Sequence, residues 1–341
     1  MNGKIQEIGM ITLKPYKKDK LLIVGLGSIG EKYRLAAKKY FDYKNVFYFS
    51  KHRKKNNLRN LKKIDNLNYI ILSNPSTERI NFFKSFIKKK ATYIFEKPMA
   101  ASAFSDKDNK EFFKLVNKNK IKIKSGYCLR LHPAVEELKK IINNNLENIL
   151  KININTNSFL PSWRKKNYTK SVSAKKTSGG GVINELSHEI DLILHLFGKP
   201  KALYASFLNT KSLKINTEDV ADIIFSMNNK LNLNLHLDFC SPFEKREIEI
   251  IFRNKTKIVL DLTKNFLFFS NLKKTTIKKF KIKKNFYIDA QIKEMLKISK
   301  IKNQTYWISE LKDAIYVLYI IKKIRESNLN KKLVYLNSKI T

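Results

Sequence analysis

A chain of 341 residues, 43% of them hydrophobic, can bury a substantial core and exceeds the usual size of one domain, so two domains are expected. The formal net charge of +40 is spread over every segment, which reads as a solvated surface able to steer an anionic substrate and not as a nucleic-acid footprint. No apolar run nears the roughly 20 residues of a membrane span, Met1 to Lys20 lacks a signal peptide's apolar block, and Cys128 and Cys240 form no CxxC pair, so a cytoplasmic chain without membrane contact, disulfide or zinc site is expected.

Along the first half, short apolar runs alternate with amphipathic stretches, the rhythm of βαβ units around a parallel sheet. The predicted strands are Leu21 to Val24, Val46 to Phe49, Tyr69 to Leu72, Thr92 to Phe95 and Ile121 to Lys124. Helical spacing of apolar residues predicts helices over Ser28 to Tyr40, Ser76 to Lys88 and Asp106 to Asn117. The texture changes after Arg130. A helix over Pro133 to Asn143 precedes a strand over Ile149 to Thr156 and a polar loop dotted with aromatic residues, and Gly179 to Gly181 lead into a helix predicted over Val182 to Leu196. From Lys201 to about Ile282 strand follows strand, among them Asn232 to Phe239, Glu247 to Phe252 and Lys257 to Leu262, which predicts a mainly antiparallel sheet with one face covered. Tyr306 to Ser327 reads as a closing helix. The expected division is an extension over 1–19, a dinucleotide-binding domain over 20–130 and a substrate-binding and oligomerisation domain over 131–335.

Chemistry concentrates at three places. Gly25-Leu-Gly-Ser-Ile-Gly30 is a GxGxxG that follows an apolar strand and opens a helix. Gly25 serves the tight turn, Gly27 the close approach of a pyrophosphate and Gly30 helix-strand packing, with Ser28 and Ile29 at the helix N-terminus that faces the negative charge. About 20 residues further on, where an acidic residue would grip the ribose of NAD, stands Ser50-Lys-His-Arg-Lys54. With no carboxylate there, and with Ser50, Lys51 and Arg53 available to a 2′-phosphate, NADP is favoured over NAD.

The second place is Phe95-Glu-Lys-Pro98, directly after the fourth strand. It sets Lys97 at the carboxyl end of the sheet, where such folds bind ligands and where an ammonium stabilises developing oxyanion charge. The third is Gly179 to Asp191, a glycine turn entering a helix that carries Asn184, His188 and Asp191 on one expected face. A neutral imidazole at His188 can accept a hydroxyl proton. A metal reading of His188, Asp191 and His195 lacks a fourth ligand at a recognisable spacing.

Together these segments, with Ser73-Asn-Pro-Ser-Thr77, Gly126-Tyr-Cys-Leu-Arg-Leu-His-Pro133 and Leu160-Pro-Ser-Trp-Arg164, resemble the Gfo/Idh/MocA oxidoreductases from about Lys20 to Lys331. Members from surface-polysaccharide gene sets look most alike. The resemblance implies a Rossmann domain followed by an α/β domain whose open sheet often makes a dimer interface, hence a homodimer or homotetramer. It implies NAD(P) held by Gly25 to Gly30, Asn74, Pro75, Glu96 and Lys97, and a sugar or nucleotide-sugar substrate whose reacting carbon lies between Lys97 and His188. Arg130, Trp163, Arg164, Tyr168, Asn184 and Glu185 are its further substrate-side candidates. Two positions depart from the pattern: Asn184 stands where many members have aspartate, with Glu185 available as the carboxylate, and Arg79 stands where a histidine is common. The rival expectations are a dinucleotide sensor of the same fold and an NAD-dependent glycosidase.

Overall fold

The computed structural model describes residues 18–50, 61, 63–88, 90–163, 167–227, 231–300 and 308–338, of which 298–300 are described by their backbone. The apolar runs of the first half become β1 (Lys20–Val24), β2 (Val46–Phe49), β3 (Leu67–Leu72), β4 (Thr92–Phe95) and β5 (Lys122–Ser125). Between them lie α1 (Ser28–Ala37), α2 (Ser76–Ser85) and α3 (Asp106–Lys118). These strands pair in parallel, in the order β5-β4-β3-β1-β2. The order reverses at β1, so the turns after β1, β3 and β4 open on one edge, the place where doubly wound sheets bind ligands. Near-continuous burial of β1, β3 and β4 shows both faces covered, as a parallel sheet requires.

The second half is built from α4 (Pro133–Asn143), β6 (Ile149–Asn157), α5 (Val182–Glu185), α6 (His188–Phe197), β7 (Ala202–Leu208), β8 (Val220–Ser226), β9 (Asn232–Asp238), β10 (Lys245–Phe252), β11 (Lys257–Asp261), β12 (Phe266–Ser270) and β13 (Thr275–Lys279). Its sheet runs β13-β12-β11-β10-β6-β9-β8-β7-β15, the last strand being Val334–Tyr335, and only the β6–β9 pair is parallel. Alternation in β6, β8, β9 and β10 turns Ile152, Ile154, Ile223, Leu233, Leu235, Ile248 and Ile250 into the core. The opposite face carries Asn153, Asn155, Asp222, Asn234, His236, Lys245, Glu247 and Glu249 around a concavity of about 500 Å³, which holds none of the predicted site residues.

Three expectations are corrected. The segment between Ile282 and Tyr306 contains α7 (Phe286–Lys300), whose Ile288, Ile292, Met295 and Leu296 pack beside Leu21, Ile23, Tyr33 and Ile94 of the first domain. The closing helix, α8 (Leu311–Asn330), starts later than expected, after β14 (Ser309–Glu310) has joined the first sheet antiparallel to β5. A single cut at residue 130 therefore misses this return of the chain. The helix expected over Val182 to Leu196 is broken into α5 and α6.

Candidate active site

The glycine turn after β1 has the shape its sequence demands. Gly25 has φ +88°, and a Cβ there would lie 2.5 Å from the Asn74 nitrogen, while one on Gly30 would lie 1.8 Å from the Gly25 carbonyl oxygen. A Cβ on Gly27, by contrast, would meet no more distant part of the described chain within 4 Å, and Gly27, Ser28 and Ile29 are exposed at the N-terminus of α1. Ser73 Oγ bonds the carbonyls of Val24 and Gly25 at 2.9 and 2.8 Å, tying the turn after β3 to it. Pro75 is exposed in that turn, and buried Asn74 keeps an Oδ1 with no hydrogen-bond partner among the described residues. An open anion cradle beside an orphaned amide oxygen fits a dinucleotide. Ser50 follows β2, whose Phe49 carbonyl accepts the Gly25 N–H at 2.8 Å; Lys51 and Arg53 lie outside the described residues.

Lys97 follows β4 at a cis peptide bond to Pro98. Its Nζ reaches across to the second domain, 2.7 Å from the Glu185 carbonyl oxygen and 3.0 Å from Glu185 Oε2, in a half-buried ion pair. Glu96 lies behind it: the Tyr33 hydroxyl donates to Oε1 at 2.6 Å, and the Lys97 backbone N–H donates to Oε2 at 3.2 Å. A Cβ on Gly126 would come within 2.9 Å of that carboxylate, so the glycine of the Gly126-Tyr127 segment makes room for it.

The break between α5 and α6 follows from two lost helical acceptors. In a continuous helix the Asn184 and Glu185 carbonyls would accept the N–H groups four residues on. Instead Ser187 Oγ donates to the Asn184 carbonyl at 2.8 Å, and Lys97 takes that of Glu185. Asn184, expected on one helix with His188 and Asp191, thus lies on α5 while the other two lie on α6. Asn184 turns its amide to the Gly179 carbonyl at 2.9 Å, while Glu185 is the carboxylate that meets Lys97. Asp191 is buried in a bidentate pair with Arg130 at 2.7 Å and accepts from Ser309 Oγ at 3.0 Å.

His188 opens α6 with its ring edge-on to Tyr127, the centroids 5.6 Å apart. Its Nδ1 is buried without a hydrogen-bond partner among the described residues. Burial, then the positive charges of Lys97 and Arg246, hold the imidazole well below the usual histidine range, so it is neutral near pH 7. Lys97, distant in sequence, thus acts electrostatically on His188 and contacts Glu185 three residues before it.

Arg130 corrects its expected role. It is 5% exposed and fully engaged with Asp191 and, at 2.8 Å, Asp313, which ties α6 to α8 instead of facing a ligand. Trp163 donates from Nε1 to Ser158 Oγ at 3.0 Å and packs edge-on to Phe239; Tyr168 accepts the Lys214 N–H at 3.1 Å. Neither makes a hydrogen bond or ring contact with Lys97 or His188 among the described residues, and Arg164 lies outside them. Arg246, not singled out from sequence, sits at the end of the covered face of β10, its Nε 2.8 Å from Glu189 Oε1. Its alternation with Ile248 and Ile250 was the available signal.

Among the described residues no helix is long and apolar enough to cross a membrane. Residues 135–257 match the sequence family described as the GFO/IDH/MocA C-terminal domain. No curated protein matches the chain by sequence. Solved structures share its fold over nearly the whole length. An NAD binding oxidoreductase from Klebsiella pneumoniae superposes with TM-score 0.77 at 12% identity over 94% of this chain and 100% of that one. Levoglucosan dehydrogenase in complex with NADH gives 0.75 at 14% over 94% and 99%. The WlbA dehydrogenase from Bordetella pertussis with NADH and UDP-GlcNAcA gives 0.71 at 15% over 95% and 99%. Residues 135–257 are thus similar to a GFO/IDH/MocA C-terminal domain, and they follow a doubly wound parallel sheet.

Proposed function

We propose that the chain is an NAD(P)-dependent oxidoreductase acting on a CH–OH or keto carbon of a sugar or nucleotide sugar. The observation that carries this reading is the meeting of Lys97 with Glu185 at the break before α6, beside a neutral His188 whose Nδ1 has no protein partner. Gly25, Gly27, Ser28, Ile29, Gly30, Asn74 and Pro75 form the cradle for the dinucleotide. A nicotinamide bound there supplies the hydride acceptor or donor. On oxidation, neutral His188 takes the hydroxyl proton and the Lys97 ammonium stabilises the charge left on oxygen; reduction runs the same transfers backward. Glu185 orients the ammonium.

The similarity of fold to levoglucosan dehydrogenase and to a dehydrogenase in complex with UDP-GlcNAcA supports the substrate class. The run Ser50 to Lys54, free of carboxylates, favours NADP(H) over NAD(H). Trp163, Arg164 and Tyr168 are proposed to border the sugar, and the uncovered face of the second sheet to join copies into a homodimer or homotetramer. The test is absorbance of NADH and NADPH against a panel of sugars and nucleotide sugars. Turnover by the wild type and its loss in Lys97→Met and His188→Asn support the reading. Cofactor binding without turnover of any panel member counts for a dinucleotide sensor and against it.

A further inference from the structure

Arg79, on α2, is 4% exposed, and no carboxylate lies within salt-bridge distance of it among the described residues. Its guanidinium donates instead to three backbone carbonyls: Glu96 and Pro98, which flank Lys97, and Asn74 at 2.6 Å on the turn after β3. An arginine on an exposed helix face would keep its charge in water, so burying it is costly unless many acceptors converge. Here they converge from two turns far apart in sequence, both of which border the cleft.

We propose that Arg79 is a positioning residue that fixes the turn bearing Lys97, by holding with one guanidinium the carbonyls on both sides of that lysine and the Asn74 carbonyl of the neighbouring turn. The inference rests on the reading of Lys97 as the group that meets the reacting oxygen. A planar fork suits the task. An ammonium concentrates its donors at one point, and an imidazole has at most two N–H groups on opposite edges. Burial lowers the guanidinium to about 10, against the opposing field of Glu96, so it remains charged near pH 7. On the other side of the same turn Glu96, held by Tyr33 of α1, accepts the Lys97 N–H. Lys97 is thus braced from α2 and from the helix that follows the glycine turn.

The test is hydrogen exchange read by mass spectrometry on the full chain, with and without NADPH, for Arg79→Lys and, should that variant fold poorly, Arg79→Gln, which keeps two N–H donors without charge. Amide exchange over residues 96–101 is expected to rise at least tenfold while 67–72 and 92–95 stay protected. With whichever panel sugar the wild type turns over, kcat is expected to fall at least tenfold, with KM and the Kd for NADPH within twofold. Unchanged exchange over 96–101 overturns the proposal, as does a rise spread through the first sheet, which marks a merely structural arginine. Absence of wild-type turnover strikes instead at the proposed function, since the exchange result stands without a substrate.

Discussion

On the wall carried by the first sheet, Lys97 is surrounded by partners: Glu185 holds its amine, and Glu96 and Arg79 hold its backbone turn. On the facing wall, His188 sits edge-on to Tyr127 with a buried nitrogen that nothing in the described protein satisfies. One side is a charge given a fixed position; the other is a base kept neutral by its surroundings. The second depends on the first, because the Lys97 charge is, after burial, among the causes that lower His188. An imidazole held neutral beside a fixed cation can accept a proton while the cation faces developing negative charge.

The comparison breaks most decisively at its two centres. Lys97→Met and His188→Asn are each expected to lower kcat about a thousandfold, the range of lost general acid-base and oxyanion assistance. Cofactor affinity, read by NADPH fluorescence, should stay within a fewfold. Lys97→Met should also raise the His188 pKa toward its ordinary value, because a neighbouring cation is gone. Near-wild-type turnover in either variant would sink the assignment. A smaller effect belongs to Glu185→Gln, which keeps the backbone carbonyl contact of Lys97 but removes its ion pair. Loss of one charge-assisted hydrogen bond, about 1.5 kcal/mol, predicts roughly tenfold slower turnover.

These two walls were unequally legible in the sequence. Lys97 could be placed because a strand end, a proline and the fold's ligand-binding edge are all local signals. His188 could be placed because a glycine turn announces its helix. The break before His188 could not, since its cause is Lys97, 88 residues away, capturing a carbonyl that the helix would otherwise use. Arg130 misled for the same reason: an arginine beside a site motif looks available until Asp191 and Asp313 arrive from other parts of the chain. Strands β1, β3 and β4 were readable because each is buried on both faces and is itself a short hydrophobic run. The passage through α7 and β14 back to the first domain was not, although Ile288, Ile292, Met295 and Leu296 have helical spacing. Spacing gives an element; which core it joins is decided by distant partners.

Acid sharpens the contrast between the walls. His188 is held below its ordinary value by burial first and by the two cations after it, and burial first, then Arg130 and Lys139, takes His195 down to about 3. Between the unfolded value of about 6.5 and these lower folded values, the unfolded chain binds protons that the native chain refuses. Stability therefore falls as pH falls through that window and levels off above it. The thermal midpoint is expected to drop by roughly 2 to 4 °C per pH unit for each such histidine. Calorimetry between pH 7 and pH 5 checks this, and a midpoint that rises with acid contradicts it. Turnover should hold down to below the ordinary histidine range and then decline as His188 takes a proton.

The smallest expected effect separates Asn184 from Glu185. If the carboxylate that matters were the one missing at 184, Asn184→Asp would improve catalysis. The geometry says otherwise, because the Asn184 amide donates to the Gly179 carbonyl while Glu185 meets Lys97. An aspartate there cannot donate, so it faces a carbonyl oxygen with a lone pair, relieved in part by Arg325 Nη2, 3.4 Å from Asn184 Oδ1. Loss of that hydrogen bond costs about 1 kcal/mol and should lower the thermal midpoint by about 2 °C. Turnover should stay within twofold, since Lys97 keeps both contacts to Glu185. A rise of tenfold or more in kcat for Asn184→Asp would move the working carboxylate back to position 184 and leave Glu185 as an ordinary ion-pair partner.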